Sequence, residues 1–135
     1  MDAAALQATL DRIAADYVKR LQLRVETVAP GEVTLTMPVL PELVHGGGVL
    51  CGQAIMSAAD TAMLLAMIAQ LGEFRPMTTV QLQTSFLRPV SKDVDAVNVS
   101  AAVLRQGKTL SYGEVKFGTP DGRLAAHVTT TYALV

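Results

Sequence analysis

The sequence predicts an α+β protein in which a curved antiparallel sheet wraps one long helix. Three observations carry this. Ala54 to Leu71 is an almost unbroken apolar run, long enough for about five helical turns. Strict alternation of apolar and polar residues, the strand signature, lies both before and after it. Helical and strand segments are segregated rather than alternating, which favours antiparallel pairing over βαβ units.

The elements follow in order. Ala3 to Arg20 reads as an amphipathic helix, with Leu6, Leu10, Ile13, Tyr17 and Val18 at helical spacing. The period then drops to two. Leu21, Leu23 and Val25 alternate with Gln22, Arg24 and Glu26, Pro30-Gly31 turns the chain, and Val33, Leu35 and Met37 alternate again. This is a hairpin with strands near 21–29 and 32–38. Pro41 to Gly48 is a loop, and its run Gly46-Gly47-Gly48 leads to a helix from about Cys51 to Leu71, with Gly72 as its stop. Four strands complete the chain: Thr78 to Leu87, Val94 to Leu104, Leu110 to Phe117 and Leu124 to Leu134. Pro89, Gln106-Gly107-Lys108 and Pro120-Asp121-Gly122 separate them.

Bulk properties narrow the function. A length of 135 residues suits one domain, 1–135, around one core. With 50% hydrophobic and 17% charged residues the chain is globular, not disordered. A net charge of −1 gives no basic field for nucleic acid. The single cysteine, Cys51, allows neither an internal disulfide nor a cysteine zinc cluster. The N-terminus lacks a basic stretch ahead of an apolar one, so no signal peptide is expected, and the expected location is the cytoplasm. The apolar run is long enough to span a bilayer, but Asp60 lies near its middle. A charge at that depth costs about 2.5–3.5 kcal/mol. The run is therefore expected to be buried inside protein on nearly all sides, with no membrane partner.

Asp60 is the first candidate for chemistry. Met56, Ser57, Met63 and Leu64, at the positions its own helix brings near, offer it little pairing. A buried carboxylate left without a partner is costly, and one kept in such a place is often catalytic. The alternative is a structural Asp paired with a distant Arg or a strand backbone. The second candidate is the start of the apolar helix. Free N–H groups near Gly52 can hold an oxyanion of the kind that forms when a thioester carbonyl is attacked. His45 can serve as acid, base or donor, or stand solvated in its loop. Cys51 reads as a packing residue, since the only other histidine, His127, is far off in sequence. Arg88, Lys92 and Lys108, at strand ends and turns, are candidates for cofactor phosphates, with Thr79 grouped beside them. No metal site is expected.

The stretch from Gly46 to Val90 resembles the hotdog-fold acyl-CoA thioesterases, in particular the phenylacetate-degradation (PaaI-like) group. The resemblance rests on Ala59-Asp60-Thr61-Ala62-Met63, Thr78-Thr79-Val80-Gln81-Leu82, Ser85-Phe86-Leu87-Arg88-Pro89, Gly107-Lys108-Thr109-Leu110-Ser111 and Thr130-Thr131-Tyr132. The family pattern has Asn or Gln, then His-Gly-Gly six residues later, then the catalytic acid nine residues after that His. In this chain Cys51-Gly52-Gln53 stands nine residues before Asp60, and His45 stands where the amide is usual.

The resemblance implies hydrolysis of a CoA thioester with Asp60 as nucleophile or general base. It implies carbonyl polarisation by an N–H near Gly52 or Gln53, and a place for His45 beside the water or thioester. It further implies a homodimer or homotetramer with sites between subunits, and no cofactor beyond the coenzyme A carried by the acyl-CoA substrate. Two other readings stay open: a hotdog-fold hydratase or dehydratase, and a non-catalytic acyl-CoA binder.

Overall fold

The computed structural model describes residues 1–135. Its elements are α1 (Ala3–Ile13), α2 (Asp16–Lys19), β1 (Arg24–Ala29), β2 (Glu32–Pro38), α3 (Gly52–Leu71), β3 (Met77–Phe86), β4 (Ala96–Gln106), β5 (Leu110–Gly118) and β6 (Leu124–Leu134). The strands form one antiparallel sheet in the order β1-β2-β4-β5-β6-β3. The sheet is open, so β1 and β3 are its edges. It curves around α3, which is the hotdog arrangement.

The core forms where the inner faces of the strands meet α3. Val33, Leu35, Met37, Val97, Val99, Val115, Phe117 and Val128 point inward at alternate positions, and Ala58, Ala62, Met63, Leu65 and Ile68 of α3 fill the trough. Burying each of the larger side chains contributes about 1.5–3 kcal/mol. One close approach fixes the depth of the helix: a Cβ at Gly113 of β5 would lie 2.5 Å from the Met63 sulfur and 2.7 Å from the Ala102 carbonyl oxygen. At its far end α3 stops at Gly72, whose φ of 81° is left-handed and whose N–H closes on the Ile68 carbonyl.

Two expectations are corrected. The N-terminal helix does not run to residue 20. Asp2 caps α1 by accepting the Ala5 N–H at 2.8 Å, but Ala14 and Ala15 are extended, with ψ of 143° and 153°. The break turns the chain so that Leu21 and Leu23 enter the core. Those two alternate like a strand yet precede β1. Instead of a neighbouring strand, Gln7 of α1 serves this stretch: it donates to the Leu23 carbonyl at 3.2 Å and accepts the Val25 N–H at 2.8 Å. A side-chain amide thus stands in for a strand along part of the β1 edge.

The second correction concerns α3, which is not buried all round. Gln53, Met56, Ser57, Asp60 and Leu64 form a stripe at helical spacing that is exposed or half-buried. The sheet trough is one-sided, so it covers the alanine- and methionine-rich side of α3 and leaves this stripe open. Beside it runs β3, whose outer edge is unpaired and whose Val80 and Phe86 are more than half exposed.

Candidate active site

Asp60 lies on the open stripe of α3, half-buried. Its partners come from two strands. The Thr79 hydroxyl on β3 donates to Asp60 Oδ1 at 2.6 Å, and the Tyr132 hydroxyl on β6 reaches the same oxygen at 2.6 Å. Tyr132 also lies 2.6 Å from the Asp60 backbone carbonyl oxygen. Strand register explains the convergence. Thr79 pairs with Tyr132, and Tyr132 with Ser111 on its other side, so the three form one row across the inner face. A bulge between Thr79 and Gln81 keeps Thr79 inward and turns Val80 out. No arginine or strand backbone pairs with the carboxylate, and no residue of the chain bonds to Oδ2.

Tyr132 is only 4% exposed. Burial, and then the adjacent Asp60 charge, hold its hydroxyl well above the ordinary tyrosine range. It therefore stays a neutral donor. The buried Ser111 hydroxyl beside it has no protein partner.

The start of α3 forms a second cluster. Cys51 is the N-cap in extended conformation, and its side chain caps nothing. The first-turn N–H groups of Gly52 and Gln53 are therefore without a side-chain cap. A groove of about 310 Å³ opens here, lined by His45, Val49, Gly52, Phe86 and Arg88 among others. The Phe86 ring lies where a side chain at Gly52 would go, 3.1 Å from an ideal Cβ. His45 is exposed, and its Nδ1 accepts the Gly47 N–H at 2.8 Å.

The structure thus brings His45, Gly52 and Arg88 to one groove, with Gln53 next along the helix. Lys92 does not line this groove; its backbone N–H donates to the Gly48 carbonyl at 3.0 Å. Thr79, grouped with the cations from sequence, is bonded to Asp60 instead. Lys108 stands in the β4–β5 turn, beside a separate groove with Arg105 and Tyr112. The Cys51 side chain makes no hydrogen bond, and His127 is on the outer face of the sheet, bonded to Glu114 at 2.9 Å. That bond holds the Glu114 carboxyl below its usual range. Tyr132 is the site residue that sequence reasoning missed as such. Its signal was a large polar side chain at an inward position of the last strand. A hollow of about 740 Å³ lies under α1 and α2 against β1, and none of the candidate residues lines it.

A sequence profile of the thioesterase superfamily matches residues 47–126, which span the helix start, Asp60, strands β3 to β5 and the start of β6. The chain belongs to the thioesterase superfamily. The protein named "Putative esterase SSO2140" of Saccharolobus solfataricus is 32% identical over 108 residues, covering 80% of this chain and 75% of that protein. The Escherichia coli PaaI protein, from the phenylacetic acid degradation operon, superposes with a TM-score of 0.85 at 20% identity, covering 98% of this chain and 95% of that one. A hypothetical thioesterase from Streptococcus pneumoniae, solved with coenzyme A, gives 0.77 at 19% identity over 84% and 85%. These two structural likenesses establish the hotdog fold for this superfamily member.

Proposed function

We propose that the chain is a cytoplasmic acyl-CoA thioesterase in which Asp60 is the catalytic carboxylate. One observation carries the reading. Two hydroxyl donors occupy Asp60 Oδ1, while Oδ2, on the open stripe of α3, has no partner in the chain. A carboxylate held in this way presents one oxygen in a fixed direction. Superfamily membership and a neighbour solved with coenzyme A support a CoA thioester as substrate.

As general base, Asp60 takes a proton from water while the water oxygen bonds to the thioester carbonyl carbon. The carbonyl electron pair moves onto oxygen, where N–H groups at Gly52 and Gln53 hold the charge. The oxyanion collapses, the C–S bond breaks, and the thiolate takes the proton from Asp60. The products are a carboxylic acid and coenzyme A. As nucleophile, Asp60 would itself bond to the carbonyl carbon and expel the thiolate. Water would then cleave the resulting anhydride.

Gly52 and Asp60 are eight residues apart on one helix, roughly 12 Å at about 1.5 Å per residue. One carbonyl cannot meet both. A homodimer with antiparallel α3 helices would set Asp60 against the partner subunit's Gly52, and it would cover the open stripe and the unpaired β3 edge. Two such dimers would make a tetramer. His45 would sit by the thioester in this arrangement, and Arg88 in the same groove would supply a cation for the coenzyme phosphates; Lys92 and Lys108, which lie outside that groove, could serve only a coenzyme that extends beyond it.

The test is a thiol-release screen over straight-chain and aromatic acyl-CoAs, with the free acid quantified. Stoichiometric thiol and acid are expected. Hydration of an enoyl-CoA with no thiol released from any substrate would overturn the reading in favour of a lyase, and binding with neither reaction in favour of a carrier.

A further inference from the structure

The contact between Tyr132 and Asp60 is more specific than packing requires. One buried hydroxyl bridges two oxygens of the same residue, the backbone carbonyl and carboxylate Oδ1, each at 2.6 Å. A bridge of that kind fixes the side-chain torsions of Asp60 relative to its helix. Thr79 approaches the same Oδ1 from β3, and the two donors leave Oδ2 as the one carboxylate oxygen free to act. We propose that Tyr132 is a positioning residue for Asp60: it locks the carboxylate rotamer and dedicates Oδ2 to the reaction. The inference rests on the thioesterase reading and goes beyond it by assigning separate work to the two carboxylate oxygens.

The surroundings fit the role. Tyr132 is flanked on the inner face by Ser111 of β5 and Thr79 of β3, neither of which titrates in the working range. From α3 the charged group it meets is Asp60. The hydroxyl stays protonated far into alkali, so the bridge persists at every pH where the enzyme would work. Ordering the carboxylate beforehand removes reorganisation from the chemical step.

Two variants test this in the full-length protein: Tyr132→Phe, which removes the hydroxyl and keeps the ring, and Tyr132→3-fluorotyrosine, which keeps the shape and strengthens the donor. For Tyr132→Phe, kcat on the best acyl-CoA should fall at least about tenfold, with KM within about twofold. The fluorinated variant keeps the donor and should keep kcat within about threefold of native. Crystals of Tyr132→Phe should show Asp60 leaving its single rotamer. If Tyr132→Phe keeps the native kcat, if the fluorinated variant loses it, or if Asp60 keeps its rotamer without the hydroxyl, the positioning role is overturned. Absence of thiol release from the native protein would instead sink the thioesterase reading, and the rotamer comparison would still decide the inference.

Discussion

Replacing Asp60 by Asn separates chemistry from architecture, and the structure sets the size of both effects. The two hydroxyls on Oδ1, from Thr79 and Tyr132, need only an acceptor. The amide oxygen of Asn supplies one in the same place, so both contacts survive as neutral hydrogen bonds. Losing the charge weakens each by about 1 kcal/mol, and relief from holding a half-buried charge offsets part of that. Stability should therefore change by no more than about 2 kcal/mol. The other amide position is an NH2 group, a donor where the reaction needs an acceptor. Loss of a base or nucleophile costs about 10²–10⁴-fold, or roughly 2.7–5.5 kcal/mol of barrier. Asp60→Leu provides the contrast. Tyr132 would keep the backbone oxygen of residue 60, but the Thr79 hydroxyl would lose its acceptor, at a cost of about 1–3 kcal/mol. Thiol release measured beside urea denaturation reads both quantities. An Asn variant that folds and turns over within about threefold of native would refute a catalytic role for Asp60.

Other outcomes follow from neighbouring features. Cys51→Ala should keep most of the thiol release, because the N–H groups at the start of α3 belong to the backbone; loss of activity with an intact fold would make the thiol a nucleophile. Gly113→Ala should cost about 1–3 kcal/mol in urea denaturation, since its Cβ would lie 2.5 Å from the Met63 sulfur and 2.7 Å from a strand carbonyl oxygen; a change under about 0.5 kcal/mol would contradict the close approach. Stability should decline in alkali. Tyr132 holds its proton above the ordinary value of 10.0, so its contribution is complete below that pH and is lost above it, where the unfolded chain gives the proton up. The slope reaches up to about 1.4 kcal/mol per pH unit, and Tyr132→Phe should flatten it; equal slopes would contradict burial of the hydroxyl.

Much of this was legible in the sequence because its cues are local. Gly72 ends α3, Pro30-Gly31 turns the first hairpin, and alternation marks the inward positions of β2 and β4. Asp60 stood out as a charge in an apolar run. What stayed hidden depends on contacts across the chain. Leu21 and Leu23 alternate because they face the core, but their backbone meets Gln7 rather than a strand. Period two reports facing, not pairing. The break at Ala14-Ala15 carries no proline or glycine, since alanine accepts either conformation and tertiary packing decides. The partners of Asp60 were invisible for the same reason. Thr79 and Tyr132 are separated by more than fifty residues, and only the β3–β6 register makes them neighbours.

His45 stands where the resemblance implies an amide side chain, and its contacts give that position a definite chemistry. Its Nδ1 accepts the Gly47 N–H at 2.8 Å, so in the neutral ring the proton sits on Nε2. The ring therefore offers one donor, and it borders the groove that contains Gly52 and Phe86. An amide side chain at this position offers a donor too, through its NH2 group, and its oxygen can accept the Gly47 N–H as Nδ1 does. His45→Asn should keep thiol release within about threefold of native. His45→Ala removes both the donor and the brace on the loop, and should lose at least about tenfold, or roughly 1.4 kcal/mol of barrier. The KM–kcat split identifies which loss matters: a fall in kcat points to a donor on the reacting thioester, a rise in KM to a loop that no longer shapes the groove. Native turnover in the Ala variant would leave His45 as a solvated residue whose only contact is with its own loop.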